Sequence, residues 1–279
     1  MPIESRPLLA CPSCGEELLA AAGRRRLGCP QGHGFDAAKQ GYFNLLTGAG
    51  TKFQADTAGM VQARVDFLGA GHYAPLARAL TDLGATAAAN PVILDAGAGT
   101  GYYLAEVSKA LDASETVALD ISKYALRRAA RALPTGFALV WDVWRPLPLA
   151  DGAADLVLNV FSPRNPQEFR RVLVPGGALV VVTPLPSHLR ELRAVAGLLD
   201  IGAGKDEHIA QALGPGFTPE ASRRVEYSMD LSRTDTLNAA LMGPSAHHLD
   251  RASLEHALDS ASFPLSVSAA FSVSRFTAV

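Results

Sequence analysis

The sequence predicts an α/β protein in which a mostly parallel sheet alternates with helices, preceded by a small metal-stapled module. Three observations predict it. All three cysteines fall in the first 29 residues at paired spacing, with a histidine just beyond the last. A glycine-rich turn, Gly97-Ala98-Gly99-Thr100-Gly101, follows a short apolar run and opens a helical one. From there to about residue 184, apolar runs of strand length recur, several of them ending in a polar residue suited to a ligand.

The chain has 279 residues, 48% hydrophobic and 19% charged, enough for a full core in one large domain or two unequal ones. Its apolar stretches are short. The longest, such as 178–182, read as core strands and none approaches a membrane span. The opening "MPIESRPLLACP" lacks a basic start followed by an apolar region, so no secretion signal is read and the protein is expected in the cytoplasm, with no membrane partner. A net charge of −2 argues against an indiscriminate nucleic-acid coat, yet leaves room for local basic patches. Arg24 to Arg26, then Arg127, Arg128 and Arg131, then Arg164, Arg170 and Arg171, and finally Arg190 and Arg193 form such patches. Each reads first as a solvated turn or helix face.

The metal module comes first. Cys11 and Cys14 form C-x2-C, fourteen residues intervene, and Cys29 and His33 form C-x3-H. Two ligand pairs on tight turns joined by a hairpin-length connection let four donors converge on zinc. "CPSCGEE" and "CPQGHGF" each place Pro after the first ligand and Gly behind the second, which suits knuckles that turn sharply. A disulfide framework is the weaker reading, because three cysteines cannot all pair. Four protein ligands leave no open position, so the zinc is structural. A segment this short depends on its metal to fold and is expected to be an autonomous ribbon. Arg24 to Arg26 would be either a solvated hairpin tip or a finger for phosphates.

The predicted boundaries are a ribbon at 1–46, a linker at 47–60 and a larger domain at 61–279. Phe35, Tyr42, Phe43, Leu45 and Leu46 are too apolar for a free tether and are expected to pack back. "TGAGTKFQADT" has the composition of a mobile loop. Met60, Ala63, Val65, Phe67 and Leu68 then mark a helix, and "YAPLARALTDL" starts another.

In the larger domain, residues 92–94 read as a buried strand, 97–101 as a loop permitting close ligand approach, and Tyr102 onward as a helix. A dinucleotide fingerprint requires a third glycine where Tyr102 stands, so it fails. What remains is Asp95 leading the glycine loop, then a second strand ending in Asp120, where a carboxylate can take both hydroxyls of a ribose. A third strand ends in Asp142, placed to meet an adenine amine. "ADLVLNVFSPRNP" supplies a fourth, and "RRVLVPGGALVVVTP" a helix, a turn and a fifth. Asp95 reads alternatively as a cap of the loop, Asp142 as a turn residue, and Asp155 as a strand-start residue. This order of parts resembles the class I S-adenosylmethionine-dependent methyltransferases, which implies a Rossmann-like, seven-stranded, mostly parallel sheet and S-adenosylmethionine as cofactor.

The ribbon together with "FDAAKQGYFNLL", "ADTAGMVQARVDFLGAGHYAPL", "LDAGAGTGYY", "NVFSPRNPQEFRRVLVPGGALVVVTP" and "PSHLREL" resembles the 23S rRNA guanine-N1 methyltransferases, from about Cys11 to the C-terminal strand. "WDVWRPLPLADGAA" and "NVFSPRNP" resemble the macrolide-resistance branch, which acts on guanine 748 in a domain II hairpin loop, more than the guanine 745 branch. The resemblance implies Cys11, Cys14, Cys29 and His33 as zinc ligands. It implies cofactor contacts at Tyr73, Gly99, Thr100 and His188, beside the loop's own Gly97 and Gly101 and the carboxylates Asp95, Asp120 and Asp142. Leu185 departs from the pattern, since a smaller or polar residue is expected there. A homodimer is carried as an expectation of the resemblance, although no dimer surface is legible.

Guanine N1 carries a proton and is a poor nucleophile, so the site must align it with the donor and help the proton leave. The base edge is reachable only in a loop or after flipping. Asp56 and Asn159 are the candidate catalytic residues, with a helix N-cap as the alternative for Asp56. Arg164, with Arg24, Arg25 and Arg26, is a candidate RNA contact. The competing readings are a small-molecule methyltransferase with a purely structural ribbon, and a non-catalytic rRNA-binding factor. The intact glycine loop and Asp120 speak against the second.

Overall fold

The computed structural model describes residues 6–48, 50–196 and 209–279; the first five residues, on which the reading of the N-terminus partly rests, lie outside it. The N-terminal module is a three-stranded antiparallel sheet of β1 (Leu19–Ala20), β2 (Arg26–Gly28) and β3 (Gly34–Asp36). The rest is built on one eight-stranded sheet. Its strands are β4 (Phe43–Asn44), β5 (Val92–Ala96), β6 (Glu115–Asp120), β7 (Phe137–Val140), β8 (Ala154–Val160), β9 (Leu173–Pro184), β10 (Phe217–Leu231) and β11 (Leu265–Ala278), in the order β10-β11-β9-β8-β5-β6-β7-β4. The stretch from β9 to β4 is parallel, while β11 and β10 run antiparallel.

Seven of these strands are those that the class I resemblance implies, and the eighth was not foreseen. β4, two residues long, pairs Phe43 with Leu139 and Asn44 with Val140, closing the β7 edge. It comes from a segment assigned by sequence to the ribbon.

Helices α1 (Ala58–Gly69), α2 (Ala74–Gly84), α3 (Tyr102–Ala110) and α4 (Lys123–Ala132) cover one face of the sheet. There Phe67, Leu76, Leu80, Leu104 and Leu126 meet strand residues such as Ile93, Ala118 and Leu156. Helices α6 (Arg190–Ala196), α8 (Arg233–Leu241) and α9 (Arg251–Ala257) continue that layer toward β11 and β10. Strand alternation sends the other residues, Leu94, Val117, Leu139 and Val157, to the opposite face, where α5 (Pro166–Val172) and α7 (Ile209–Leu213) pack.

The second face explains the ribbon. No helix forms between β7 and β8, where Trp141 to Ala153 run irregularly, and the ribbon covers the sheet instead. Leu9, Leu18, Leu27 and Phe35 share one apolar cluster with Trp141, Leu149 and Phe169. Leu9 bridges Leu149, and the Ala10 N–H donates to the Pro148 carbonyl at 3.1 Å. Arg171, read by sequence as part of a basic patch, turns inward to hold this segment. It donates to the Leu147 and Leu149 carbonyls at 2.9 and 2.8 Å and pairs with Glu168 at 2.6 Å. The expected autonomy of the ribbon is therefore corrected: its core is continuous with that of the sheet.

Among the described residues no helix is long and apolar enough to cross a membrane.

Candidate functional site

The four predicted metal ligands converge. Donor atoms of Cys11, Cys14, Cys29 and His33 all lie within 4.8 Å of one another. Cys14 Sγ is 3.7 Å from Cys29 Sγ, which is 3.4 Å from His33 Nδ1. Zinc–sulfur bonds of about 2.3 Å at tetrahedral angles would hold two sulfurs about 3.8 Å apart, so the spacing fits zinc. Each knuckle closes on a glycine with positive φ: Gly15 (+79°) donates its N–H to the Cys11 carbonyl, and Gly32 (+85°) to that of Cys29. An L side chain is strained there, which accounts for Gly15 behind Cys14; in the second knuckle the required glycine is Gly32, ahead of His33, while Gly34 behind it begins β3.

The ribbon tip is divided. The Arg24 guanidinium points at the larger domain, ion-paired with Glu115 at 2.7 Å, donating to the Thr135 carbonyl and lying 4.0 Å above the Phe137 ring. That replaces the phosphate-finger expectation for Arg24 with a docking contact, since the cation already has a carboxylate, a carbonyl and a ring. Arg26 pairs with Asp36 at 2.7 Å, whereas Arg25 stays exposed.

The second site lies at the C-terminal ends of β5, β6, β7 and β8, where strand order reverses and a crevice opens in folds of this kind. Gly97, Gly99 and Gly101 all have positive φ. The loop is tied to β6 by the Gly97 and Ala98 N–H groups, both donating to the Leu119 carbonyl at 2.8 Å. A Cβ on Gly97 would collide with Ser162, so the loop after β8 closes directly on it. Asp120 orders the crevice: its carboxylate accepts the N–H of Gly99 at 2.9 Å and of Ser122 at 2.7 Å. Thr100 is buried in the same loop.

Two acceptors here have no hydrogen-bond partner among the described residues. Asp95 Oδ1 and Asn159 Oδ1 are buried and unpaired, on the neighbouring strands β5 and β8. Such atoms are costly unless a ligand satisfies them. Burial, with the nearby charge of Asp120 adding to it, pushes the Asp95 carboxyl up to about 8. Asn159 donates to the Ala96 carbonyl at 3.3 Å and the Pro163 carbonyl at 2.8 Å, which shapes the turn after β8. The orphaned Asp95 oxygen beside the glycine loop fits a donor group of S-adenosylmethionine, and that of Asn159 is open to a second ligand.

Asp142 is also at this edge, with a partner that sequence did not suggest. The linker residue Thr51 donates its hydroxyl to Asp142 Oδ2 at 2.7 Å, and the Trp144 N–H reaches Oδ1 at 3.1 Å. The linker thus crosses the crevice. Its Asp56 carboxylate pairs with Arg64 at 2.5 Å, and its Asp56 carbonyl accepts the Ser122 hydroxyl at 3.0 Å. The cap of α1 is Thr57, whose side chain accepts the Met60 N–H, and not Asp56. Arg64 was missed by sequence: it joins Asp56, the Met242 carbonyl at 2.6 Å and the Gly99 turn, where an added Cβ would lie 3.3 Å away. A lone arginine on a helix carries no signal for that role.

Tyr73 and His188, 115 positions apart in sequence, meet: Tyr73 Oη lies 3.1 Å from His188 Nε2, and both are buried. Rings continue from there to the glycine loop. Tyr73 is 5.0 Å from Phe271, Phe271 is 5.6 Å from Phe161, and Phe161 is 6.5 Å from Tyr103 at the start of α3. Phe161 is 44% exposed at φ +54°, an uncommon conformation for a bulky residue and one that occurs at ligand sites. Leu185, the departure noted above, is buried in the turn that ends at His188, so its apolar side chain serves packing. Arg164 is half-buried between β8 and α5.

Comparisons with known proteins bear on both sites. Residues 9–48 match the family model described as RlmA, N-terminal, a zinc ribbon, and residues 93–177 match the methyltransferase domain model. The chain is 45% identical to a protein of Micromonospora griseorubida assigned to the 23S rRNA (guanine-N(1)-)-methyltransferases, over 97% of each chain. It is 45% identical to the 23S rRNA (guanine(748)-N(1))-methyltransferase of Streptomyces fradiae, over 87% of this chain and 86% of that one. Among solved structures, a Bacillus halodurans protein classed as a methyltransferase superposes with a TM-score of 0.51 at 15% identity, covering 72% of this chain and 97% of that one, which supports the fold alone.

Proposed function

The chain belongs to the 23S rRNA (guanine-N1)-methyltransferases, and from that membership we propose that it transfers a methyl group from S-adenosylmethionine to N1 of guanine 748 in a domain II hairpin loop of 23S rRNA, with macrolide resistance as the benefit. The observation that carries this reading is 45% identity over 87% of this chain to a relative whose name specifies guanine 748, beside the match of residues 9–48 to the ribbon family model.

S-adenosylmethionine, when bound, supplies an electrophilic methyl on a sulfonium sulfur. The chain's residues do the rest. The loop from Gly97 to Gly101 admits the cofactor close to the backbone, Asp120 takes the ribose hydroxyls, and Asp142 with Thr51 lies where the adenine is expected. Asp95 Oδ1 meets the charged amino group, and Tyr73 with His188 lines the methionine side. On the acceptor side Asn159 Oδ1, an unpaired acceptor, orients the guanine edge and does not hold the N1 proton. Asp56, held by Arg64, is the group able to take the proton away. Cys11, Cys14, Cys29 and His33 hold zinc structurally, while Arg25, Arg164 and Arg26, the last once it exchanges its exposed pair with Asp36, face RNA phosphates. The same reading places the protein in the cytoplasm and makes it a homodimer, which sedimentation equilibrium tests.

The enzymatic test supplies purified protein with radiolabelled S-adenosylmethionine and, in parallel, 23S rRNA lacking the modification and a panel of small phenols and quinones. Label entering rRNA alone is the expected result. Label entering a metabolite alone would replace this function with small-molecule methylation.

A further inference from the structure

Helix α4 leads away from Asp120 and carries a charge pattern that its own stability does not explain. Its sequence, KYALRRAARA, holds four cations and no carboxylate. Lys123, Arg127 and Arg131 recur every four residues and so stand in line on one side of the helix. Like charges one turn apart oppose helix formation, and Lys123 sits at the end where the helix dipole is already positive. Only Arg131, in the last turn, gains from that dipole.

Eleven arginines elsewhere in the molecule are neutralised, although Lys39, Lys52, Arg78, Lys109, Arg145 and Arg170 have no carboxylate within 4.0 Å among the described residues. Arg6, Arg24, Arg26, Arg64, Arg171, Arg190, Arg223, Arg224, Arg233, Arg251 and Arg275 all lie within 4.0 Å of a carboxylate. Among the described residues, none of the four α4 cations has such a partner. Arg128 donates to the neutral Gln62 amide at 2.6 Å. Arg127 lies 5.2 Å over the ring of Tyr124, itself 46% exposed, and its Nε has no hydrogen-bond partner.

The surroundings extend the pattern. The turn carrying Lys39 rests on α4, since a Cβ on Gly41 would lie 3.6 Å from that of Ala130. Arg24 anchors the ribbon tip to Thr135, just past the end of α4, leaving the neighbouring Arg25 exposed beside it. At its other end α4 begins at Ser122, which caps the helix and bonds the linker over the cofactor crevice. One positive face therefore runs from the ribbon tip to the edge of the crevice.

We propose that this face, built on Lys123, Arg127, Arg128 and Arg131 and continued by Lys39 and Arg25, is the docking surface for the RNA backbone that leads to the target base. The proposal rests on the rRNA reading above and assigns it a surface. Charge complementarity selects the partner: cations about 6 Å apart along the helix axis, without carboxylates between them, match a strand of phosphates. Tyr124 offers an exposed ring to an unpaired base within that face.

The test uses the full-length zinc-bound chain and an unmodified 23S rRNA transcript, comparing wild type with Lys123→Ala/Arg127→Ala/Arg131→Ala. RNA affinity near physiological salt is expected to fall on the order of tenfold or more, and the slope of log affinity against log salt to flatten by about two. Cofactor affinity should stay unchanged, and thermal stability should not drop, because Ala favours the helix and the repulsive ladder is gone. Arg223→Ala/Arg233→Ala/Arg251→Ala makes the same change in net charge elsewhere and should bind RNA like wild type. Wild-type methylation of rRNA combined with undiminished affinity and slope in the α4 variant, or an equal loss in the control variant, would overturn this surface alone. A wild-type chain that does not bind rRNA would overturn the rRNA reading and the surface together.

Discussion

The Tyr73 hydroxyl meets Nε2 of His188 at 3.1 Å, and a third group sets the direction of that bond: the Ala270 N–H donates to His188 Nδ1 at 3.3 Å. Burial, with the charge of Arg193 adding, pulls the imidazole down to about 3, so the ring is neutral and carries its one hydrogen on Nε2. It donates to the tyrosine oxygen, which leaves the tyrosine's own hydrogen free for an acceptor, on the proposed reading one of the cofactor. Tyr73→Phe keeps the ring against Phe271 but removes that donor. Cofactor Kd by calorimetry is expected to weaken roughly fivefold to tenfold, in line with about 1 kcal/mol for one hydrogen bond. An unchanged Kd would take Tyr73 out of the cofactor site.

Asp95, if it meets the cofactor as proposed, is expected to make binding depend on pH. Its carboxyl titrates at about 8 in the folded, cofactor-free chain, against 3.8 for a free side chain. The stability this group contributes is fully present below pH 3.8 and is lost as pH rises through about 8. A cationic ligand favours the carboxylate, so binding releases a proton below that pH. Affinity should climb with pH by up to about tenfold per unit and level off near 8. Asp95→Asn should flatten the climb and raise Tm at pH 8; a variant with the wild-type profile would assign the effect to another group.

Asp56 tests the acceptor side. Replacing it with Asn keeps the size and leaves Arg64 a neutral partner. Cofactor affinity should hold while single-turnover methylation slows by at least about tenfold, the low side of what a general base supplies. An unaltered single-turnover rate would leave Asp56 as the anchor of Arg64 and nothing more.

Zinc removal should reach beyond the ribbon. Leu9, Leu27 and Phe35 share their cluster with Trp141 and Phe169 on the sheet, so losing the metal uncovers one sheet face. Calorimetry after chelation is expected to show one cooperative transition at lower Tm. Two separate transitions, with the second at the holoprotein's Tm, would mean that the ribbon folds and melts alone.

Arg24 and Arg25 are neighbours expected to have different tasks. Arg24→Ala removes a half-exposed ion pair and a cation resting on Phe137, which together contribute about 1–2 kcal/mol after solvent screening. It should lower Tm and speed amide exchange near Thr135. Arg25→Ala should leave Tm alone and weaken rRNA binding. Equal effects of the two on both measurements would erase the distinction.

What sequence revealed was local. Cys11, Cys14, Cys29 and His33 sit at ligand spacing on two turns, and three glycines in five residues announce a ligand loop, so each pattern is complete within a few residues. The carboxylates Asp95, Asp120 and Asp142 were legible because strands of this length end in register at one edge of the sheet. What stayed hidden depends on contacts between distant segments. Arg24 finds Glu115 and Thr135, Thr51 finds Asp142, and Arg64 reaches Met242; no spacing rule encodes these meetings. β4 escaped notice because two residues show no periodicity, and the ribbon's merged core because an apolar ribbon face looks the same whether it packs on itself or on a sheet.

The most direct measurement of the central claim is primer extension on 23S rRNA incubated with the protein and S-adenosylmethionine, since a methyl on guanine N1 blocks base pairing and stops the polymerase. One new stop is expected, at guanine 748, and it should disappear when the cofactor is omitted. A stop at guanine 745 instead, or no new stop from a protein that binds both zinc and cofactor, would contradict it.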